Sequence, residues 1–437
     1  MDTLISNVTV VTMDEHMQVL FGAYIAISDG KILSISKQPP EGQPKTIIDG
    51  TGMVAIPGLI NCHTHLATTV LRNLTDDESR TDALQARLYK EDKLDSRAAK
   101  AAATVGIAEC LRFGITSVSD LYYFPEATAQ AAFDAGIKAN IALSAYRYIS
   151  HTEEFDFETD EQCRELCRVA EKWHGADDGR IRIDGGIHAL YTSNHLLWEG
   201  IADYCAEQKL GFQLHLAESQ DEAEDCLDRT GLGPGELLSC HRVLNVPVTA
   251  TGCVALTEEE RKLLGKHRVS AVATPIACAK QGQPSTPVGP CVRAGMNVAL
   301  GTGGAPDCGN MDLFEVMRAV VMAQRTEQKD AAAMPASAAL MMATVCGAQA
   351  QGRNDCGMLK EGLDADIVLV DFSAPHLIPC HNVLSGLVFS AKGGDVAMTM
   401  VRGKILYQNG QFPTIDLKAA VEELTGYAMD RLFSDKE

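Results

Sequence analysis

Apolar, strand-like runs alternate with helical stretches through the middle of this chain, and that alternation limits the folds it can adopt. Eight runs end near Asn61, Asp120, Ala145, His188, His215, Gly252, Thr274 and Gly301. Helical patterns such as residues 96–113 and 312–327 lie between them. Each helix carries the chain back to begin the next strand in the same direction, so such an alternation builds a parallel sheet. Eight units over about 300 residues predict an α/β fold of the (β/α)8, TIM-like barrel type.

An open, doubly wound sheet is the alternative that the same alternation allows. Folds of that kind that bind nucleotides have a glycine-rich phosphate loop directly after the first strand. The first strand here is followed by Asn61-Cys-His-Thr-His, and no such loop is present. The barrel is therefore the favoured architecture.

Both ends of the chain have a different pattern. Short apolar runs separated by turn residues, such as 8–11, fill the first part of the chain, and the tail repeats this style at 365–371. Short strands joined by tight turns are typical of antiparallel β structure. We therefore predict a barrel domain at residues 57–356 and one small β-sandwich domain built from 1–56 and 357–437.

Net charge and cysteine content limit the classes of partner that we expect for this protein and the cell compartment in which we expect it. The 437-residue chain has a net charge of −20, which disfavours nucleic acid and anionic membrane surfaces as partners and suits a small-molecule substrate or ligand. The 14 cysteines include no CxxC pair, as expected for reduced thiols in a cytoplasmic protein. We see no secretory leader and no apolar run of the roughly 18 residues that a membrane span needs. The sequence leaves the oligomeric state open, a homo-oligomer included.

Histidines at the ends of two predicted strands point to metal chemistry. His63 and His65 are one residue apart, and alternate side chains of a strand share a face, so both imidazoles can reach one ion. His215 closes another short apolar run, and Glu218 follows three residues later. Three histidines can hold Zn²⁺ with a water in the fourth position. The alternative is that these side chains only fill the mouth of the barrel.

Several longer segments resemble the amidohydrolase superfamily, in the branch of S-adenosylhomocysteine, methylthioadenosine and related purine deaminases and of triazine hydrolases. The likeness runs nearly end to end and is carried by Pro57-Gly-Leu-Ile-Asn-Cys-His-Thr-His, Gly114-Ile-Thr-Ser-Val-Ser-Asp, His188-Ala-Leu-Tyr-Thr-Ser, His215-Leu-Ala-Glu-Ser, Ala294-Gly-Met-Asn-Val-Ala-Leu-Gly-Thr and Gly362-Leu-Asp-Ala-Asp-Ile-Val-Leu.

The resemblance implies roles for particular residues. His63, His65 and His215 would bind one divalent metal, Zn²⁺ or Fe²⁺, with Zn²⁺ favoured. Glu218 would be the catalytic acid and base, His188 would contact the substrate, and Glu91 matches a ribose-binding glutamate. A second metal is disfavoured, because family members with two metals use a lysine on the fourth strand, and residues 181–188 contain none.

Two positions depart from the family pattern. Gly252 stands where the family has a water-orienting histidine, and Gly303 stands where it has a metal-binding aspartate. Glycine can neither bind a metal through its side chain nor move a proton. Asp307, four residues after Gly303, is a candidate substitute, and Cys253, Cys278 and Cys308 are further candidates for an altered metal shell.

Three functional hypotheses follow from these residues. The first is a deaminase-type hydrolase of C–N bonds in a purine-like or other nitrogen heterocycle, with an altered mononuclear metal site. The alternative is a catalytically silent pseudoenzyme that binds a small molecule in the barrel mouth. A third is a hydrolase whose bulkier substrate fills the space at Gly252 and Gly303. Because both the His-x-His and the His-x-x-Glu sets are intact, the residues lean towards an enzyme.

Overall fold

The computed structural model of the protein describes residues 1–147 and 155–434, with the side chains of Arg80 and Thr81 excepted. Its strands are β1 (Thr3–Val11), β2 (Val19–Ser28), β3 (Lys31–Ser36), β4 (Thr46–Asp49), β5 (Met53–Pro57), β6 (Leu59–His65), β7 (Ile115–Tyr122), β8 (Lys138–Leu143), β9 (Ile181–Ala189), β10 (Phe212–Leu216), β11 (Val248–Gly252), β12 (Ser270–Ala273), β13 (Asn297–Leu300), β14 (Gly303–Gly304), β15 (Ile367–Asp371), β16 (Val396–Val401) and β17 (Lys404–Gln408).

Helices occupy most of the connections between these strands. They are α1 (Arg80–Glu91), α2 (Ser96–Arg112), α3 (Pro125–Ala135), α4 (Glu161–Trp173), α5 (Ala176–Gly179), α6 (His195–Gln208), α7 (Gln220–Thr230), α8 (Pro234–Cys240), α9 (Glu258–Lys266), α10 (Pro275–Lys280), α11 (Val288–Arg293), α12 (Ala305–Cys308), α13 (Leu313–Gln328), α14 (Ala336–Met342), α15 (Val345–Ala350), α16 (Val383–Phe389), α17 (Leu417–Glu423) and α18 (Met429–Phe433).

The central sheet contains nine strands in the order β13-β12-β11-β10-β9-β8-β7-β6-β14, and all neighbouring pairs are parallel. Its two end strands, β13 and β14, are consecutive in the chain and separated only by Gly301 and Thr302. β14 pairs with β6, where Gly303 lies opposite Thr64 and Gly304 opposite His65. This mixed α/β arrangement fits a TIM-like barrel, as the alternation of strands and helices predicted.

Burial along the strands explains why they read as continuous apolar runs. Every residue of β7 and of β8 is buried, as expected for parallel strands covered by side chains on one face and helices on the other. The covering helices begin at polar caps: the Asp95 side chain accepts from the backbone N–H of Ala98 at α2, and that of Asp160 accepts from two N–H groups at α4.

A separate sheet of eight strands combines both ends of the chain. Seven of its strands follow the order β17-β16-β15-β5-β1-β2-β3, and β4 pairs with β1. The joint between the termini is the antiparallel pairing of β5 with β15, in which Ile56 lies opposite Val368. This sheet has its own apolar cluster, drawn from strands of both termini. That it folds into a two-layered sandwich stays a prediction.

A buried ionic cluster lies where the first residue of β8 meets the segment before β15. The Lys138 side chain is fully buried, and its Nζ lies 2.9 Å from Asp364 Oδ2 and 2.7 Å from Asp366 Oδ2. Arg402 Nε lies 2.9 Å from Asp364 Oδ2 as well. Burial by itself would lower the pKa of Lys138, but Asp366 and the neighbouring carboxylates outweigh it and raise that pKa. The cluster therefore ties the barrel to the second sheet through charges that are paired with one another.

Among the described residues, no helix is both long enough and apolar enough to cross a membrane.

Candidate metal centre at the carboxyl ends of the barrel strands

Three imidazoles converge at the carboxyl ends of two barrel strands. His63 and His65 share one face at the end of β6, and His215 lies near the end of β10. His63 Nε2 is 3.1 Å from His215 Nε2, and one ring nitrogen from each of the three histidines lies within 4.8 Å of the other two. The structure thus brings together the three residues that the sequence predicted to be metal ligands.

Backbone carbonyl groups set the tautomers of two of these rings. His65 Nδ1 donates to the carbonyl oxygen of Leu121 at 2.7 Å, and His215 Nδ1 donates to that of His188 at 2.8 Å. A neutral imidazole that donates from Nδ1 carries its lone pair on Nε2. Both Nε2 lone pairs are therefore aimed into one small space, which His63 Nε2 also borders. The hydrogen bond between His63 and His215 does not include His65, whereas one cation could bind all three imidazoles.

The surroundings of His63 and His65 favour the neutral form of both imidazoles. Burial, and to a smaller extent the neighbouring His215, lower the pKa of His65 to about 4. Burial also holds the pKa of His63 well below its usual value, with His65 and His215 adding to the effect. A metal binds the neutral form of histidine. The donor set, its burial and its lone-pair directions fit one divalent ion such as Zn²⁺, for which imidazole is a preferred ligand.

Asp120, at the end of β7, holds the loop that carries His65. Its Oδ1 accepts from the backbone N–H of Leu66 at 2.7 Å and from Thr64 Oγ1 at 2.9 Å. Burial raises the pKa of Asp120 to about 6, although these hydrogen bonds act in the opposite direction. From the sequence, Asp120 is predicted only to end a strand. Its position at the carboxyl end of a strand was the available signal for a supporting role.

Glu218 faces the same cavity, and a second carboxylate fixes its backbone. Glu222, one turn along α7, accepts from the N–H of Ala217 at 3.0 Å and from that of Glu218 at 2.8 Å. Ala217 has a φ of +49°, a left-handed conformation that costs about 1–2 kcal/mol in an L residue. The Glu222 carboxylate offsets that cost by binding both N–H groups. Sequence reasoning missed Glu222, although its i+4 spacing from Glu218 was visible.

A cavity of about 370 Å³ opens over the three histidines and Glu218. His188 and Glu91 also line it. The Tyr122 hydroxyl donates to Glu91 Oε1 at 2.9 Å, and burial raises the pKa of Glu91. His188 Nδ1 lies 3.1 Å from Thr192 Oγ1. All residues proposed from the sequence as substrate contacts therefore border the space that the metal-binding candidates face.

The glycine at residue 252 leaves room that Glu218 uses. Gly252 has a φ of +100°, and a β-carbon at this position would lie 2.8 Å from Glu218 Cγ. Carbon atoms do not approach one another so closely without displacement. A side chain at residue 252 and the present position of Glu218 therefore exclude each other.

The glycine at residue 303 has a comparable neighbour. Gly303 has a φ of +76°, and a β-carbon there would lie 3.4 Å from Asp307 Cβ and 3.5 Å from Asp307 Oδ2. Asp307 borders the cavity, whereas none of Cys253, Cys278 and Cys308 does. Burial holds the pKa of Cys253 well above its usual value and raises that of Cys308 to about 12, so both are protonated thiols. Of the four substitutes considered from the sequence, the structure brings only Asp307 to the cavity.

Comparison with known proteins identifies a family, relatives of similar sequence and solved structures of similar fold. The model of the amidohydrolase family matches residues 54–406. The 5-methylthioadenosine/S-adenosylhomocysteine deaminase of Thermoanaerobacter pseudethanolicus is 32% identical over 96% of this chain and 96% of its own. An adenosine deaminase from Xanthomonas campestris with bound Zn has a TM-score of 0.92 and 27% identity, covering 99% of each chain. The zinc complex of atrazine chlorohydrolase TrzN from Arthrobacter aurescens TC1 has a TM-score of 0.89 and 25% identity, over 97% of this chain and 99% of that one.

Proposed function

This chain belongs to the amidohydrolase family, and we propose that it is a metal-dependent hydrolase that removes an amino group from a purine-like or other nitrogen heterocycle. The observation that carries the proposal is the convergence of three buried imidazoles, with lone pairs aimed at one point, in the cavity that Glu218 borders. A relative named for deamination of methylthioadenosine and S-adenosylhomocysteine supports the choice of reaction. Relatives crystallised with zinc support the choice of metal.

The reaction is a hydrolytic exchange at one ring carbon. The oxygen of water forms a bond to the carbon that carries the amino group, and the bond from that carbon to the exocyclic nitrogen breaks. One hydrogen of the water leaves with the amino group as ammonia, and the other ends on the adjacent ring nitrogen. The product carries a carbonyl group and a ring N–H in place of the amidine.

In this proposal His63, His65 and His215 hold one divalent cation, with Zn²⁺ favoured. When bound, zinc supplies the positive charge that lowers the pKa of a water to about 7. Glu218 accepts a proton at its carboxylate and delivers it to the ring nitrogen, which is the work of a general acid and base. His188 and Glu91 contact the substrate, His188 near the reacting ring and Glu91 at a hydroxyl-bearing substituent.

A second candidate function rests on the two glycines. Neither Gly252 nor Gly303 offers a side chain, so the site has an altered shell compared with the family pattern that the sequence resembles. A protein that kept the cavity but lost these groups would bind a small molecule without converting it. A bulkier substrate whose own polar group fills the two positions is the related third hypothesis.

Metal content and ammonia release together test the proposal. The protein is purified without added metal, its bound zinc and iron are measured by mass spectrometry, and ammonia is followed with adenosine, methylthioadenosine and S-adenosylhomocysteine. We expect one bound zinc per chain and the release of one ammonia for each molecule of deaminated product. H215A is the inactive control. Binding of these nucleosides without ammonia would favour the silent protein. Absence of both metal and nucleoside binding would overturn the proposal.

The domain organisation belongs to the same proposal. We assign residues 57–356 to a closed (β/α)8 barrel that carries the site, and residues 1–56 with 357–437 to one composite β-sandwich. The pairing of β5 with β15 supports this division, because it joins the two outer segments in one sheet.

A further inference from the structure

The carboxylate of Asp307 lies beside the position at which the chain has lost a side chain. A β-carbon on Gly303 would be 3.5 Å from Asp307 Oδ2, and one on Gly304 would be 3.0 Å from the same oxygen. The β-carbon on Gly304 would also be 3.4 Å from His65 Cβ. A β-carbon on Gly304 would therefore lie between Asp307 and His65, and one on Gly303 would contact Asp307.

Two hydrogen bonds turn Asp307 back towards the barrel instead of outward. Asp307 Oδ2 accepts from the backbone N–H of Gly304 at 3.0 Å. Its Oδ1 pairs with the guanidinium of Arg87, which crosses the mouth from α1. Each carboxylate oxygen can accept more than one hydrogen bond or ligand. Both oxygens therefore keep a free lone pair even with these two partners in place.

Arg87 is itself held at this place by neutral partners. Its Nε donates to Thr75 Oγ1 at 2.9 Å, and its Nη2 donates to the carbonyl oxygen of Pro306 at 3.2 Å. The side chains of Arg87 and Asp307 are 19% and 17% exposed, so the ion pair is mostly shielded from water. A shielded carboxylate without a cation is costly. The pair thus gives Asp307 a cationic partner at the edge of the cavity.

We infer that Asp307 is the second carboxylate of this site and takes the place of the side chain that residue 303 lacks. The inference rests on the proposed function and deepens it. Three imidazoles provide no negative charge, whereas the carboxylate of Asp307 provides one at the same cavity. Its role is to strengthen the hold on a divalent cation and to accept the proton that Glu218 does not take. Gly304 is a condition for this arrangement, because a β-carbon there would lie 3.0 Å from Asp307 Oδ2, whereas one on Gly303 would lie at an ordinary contact distance of 3.4 Å from Asp307 Cβ.

A purely structural role for the pair makes a different prediction. If Asp307 only anchors α1 to the loop after β14, then removal of either partner has the same consequence, which is a loosened α1. If Asp307 serves the metal, its neutralisation weakens zinc binding, whereas removal of Arg87 takes away a competing cation. The two variants D307N and R87Q therefore move zinc affinity in the same direction under the structural role and in different directions under the inference.

The experiment measures zinc affinity by competition with a chromophoric chelator, and metal-free thermal unfolding serves as the check on folding. We expect D307N and D307A to weaken zinc binding at least about tenfold, in the range found for groups that support metal ligands. R87Q should leave the affinity unchanged or strengthen it. Turnover in D307N should fall through kcat, with KM nearly constant. Equal zinc affinity in D307N and the unaltered protein, or equal losses in D307N and R87Q, would overturn the inference.

Moving the carboxylate back supplies a second test. In G303D/D307A, the side chain of residue 303 enters the space that the Asp307 carboxylate leaves, and aspartate is among the residues that tolerate a left-handed conformation best. This double variant should recover most of the zinc affinity lost in D307A, whereas G303D alone, with two carboxylates in one space, should lower the unfolding temperature. No recovery in the double variant would count against the inference. An unaltered protein that binds no zinc would overturn the proposed function itself, which separates the two failures.

Discussion

At the start of strand β8, Lys138 lies buried among the carboxylates of Asp364 and Asp366, while at the ends of β6 and β10 the Nε2 atoms of His63 and His215 lie 3.1 Å apart. Both groups of residues are buried and polar, and both join segments distant in sequence. In the Lys138 cluster, the ammonium group lies within 2.9 Å of a carboxylate oxygen of both Asp364 and Asp366. In the histidine cluster the lone pairs point at a common space. The first arrangement serves stability and the second is prepared for a ligand.

This difference teaches how a barrel divides its tasks between the two ends of its strands. If one partner of a buried ion pair is removed, the other charge is left unpaired and the free energy of unfolding falls. Such a pair therefore indicates a region in which correct folding is required. A set of imidazoles whose lone pairs face one space gains most stability from a metal ion that binds in that space. The predictions below separate the two ends by asking which changes affect activity and which affect folding.

The largest expected effect is on catalysis at the histidine end. E218Q should lower kcat/KM for deamination of the substrate by about 10²–10⁴-fold, because an amide cannot carry the proton. Burial and then the charge of Glu218 raise the pKa of Glu222 to about 7, so the loss of that charge should not lower the free energy of unfolding. Steady-state kinetics and urea unfolding measure the two quantities. E224Q, at an exposed position on α7, is the control and should keep full activity. A fully active E218Q would remove Glu218 from the mechanism.

The next effect concerns folding at the opposite end. K138M should lower the free energy of unfolding by about 3–5 kcal/mol, because it leaves buried carboxylates without their cation. Zinc affinity should not change, since Lys138 lies at the start of its strand and the histidines lie at strand ends. The control K100M breaks the exposed pair with Asp134 and should cost less than about 1 kcal/mol. If K138M weakened zinc binding as much as it weakened folding, the two ends would not be independent.

Acid should weaken the Lys138 cluster in a defined pH range. Lys138 and the adjacent Lys31 and Arg402 lower the pKa of Asp364 to about 2 from 3.8, against the opposing effect of burial. A carboxyl group whose pKa is lower in the folded state stabilises the fold above its unfolded pKa, and this contribution is lost as pH falls from about 3.8 towards 2. It amounts to about 2 kcal/mol. In urea unfolding of the metal-free proteins, the difference between the unaltered chain and D364N should shrink over that range. A constant difference would exclude Asp364 as an acid-sensitive contributor.

The smallest effect separates backbone strain from side-chain contact at Gly252. G231A places alanine at a φ of +73° with no atom within 4 Å, and should cost about 1–2 kcal/mol of unfolding free energy. G252A meets a comparable strain and also Glu218 Cγ at 2.8 Å. It should therefore cost more than G231A and should lower kcat as Glu218 is displaced. Equal costs in unfolding, with unchanged kcat in G252A, would show that Glu218 does not depend on the glycine.

Much of the fold could be predicted from the sequence, because it depends on local patterns. Apolar runs separated by helical periodicity gave eight strand positions, and all eight coincide with strands of the central sheet. The one departure is the last strand, which Gly301 and Thr302 divide into β13 and β14. The strand-like runs at both termini likewise predicted one β domain, and the strands of both termini do share one sheet. The pattern did not specify the order of its strands.

The candidate site was predictable in part, for the same reason. His63 and His65 are neighbours on one strand, so their convergence follows from the period of two residues in a strand. His215 is 152 residues from His63, and its place beside it depends on the order in which the barrel strands pair. The support from Asp120 and Glu222 had no signature beyond position, because each acts through hydrogen bonds to backbone groups of another segment.

What only the tertiary structure decided is the use of the space at the two glycines. The sequence by itself determined that residues 252 and 303 lack side chains and that Asp307 follows nearby. It did not determine that Glu218 approaches the first glycine and Asp307 the second, or that Arg87 crosses the mouth to pair with Asp307. Those contacts depend on left-handed backbone at Gly252 and Gly303 and on the pairing of β14 with β6. Local preferences fix which residues can turn, but the packing of distant strands fixes what each turn brings into contact.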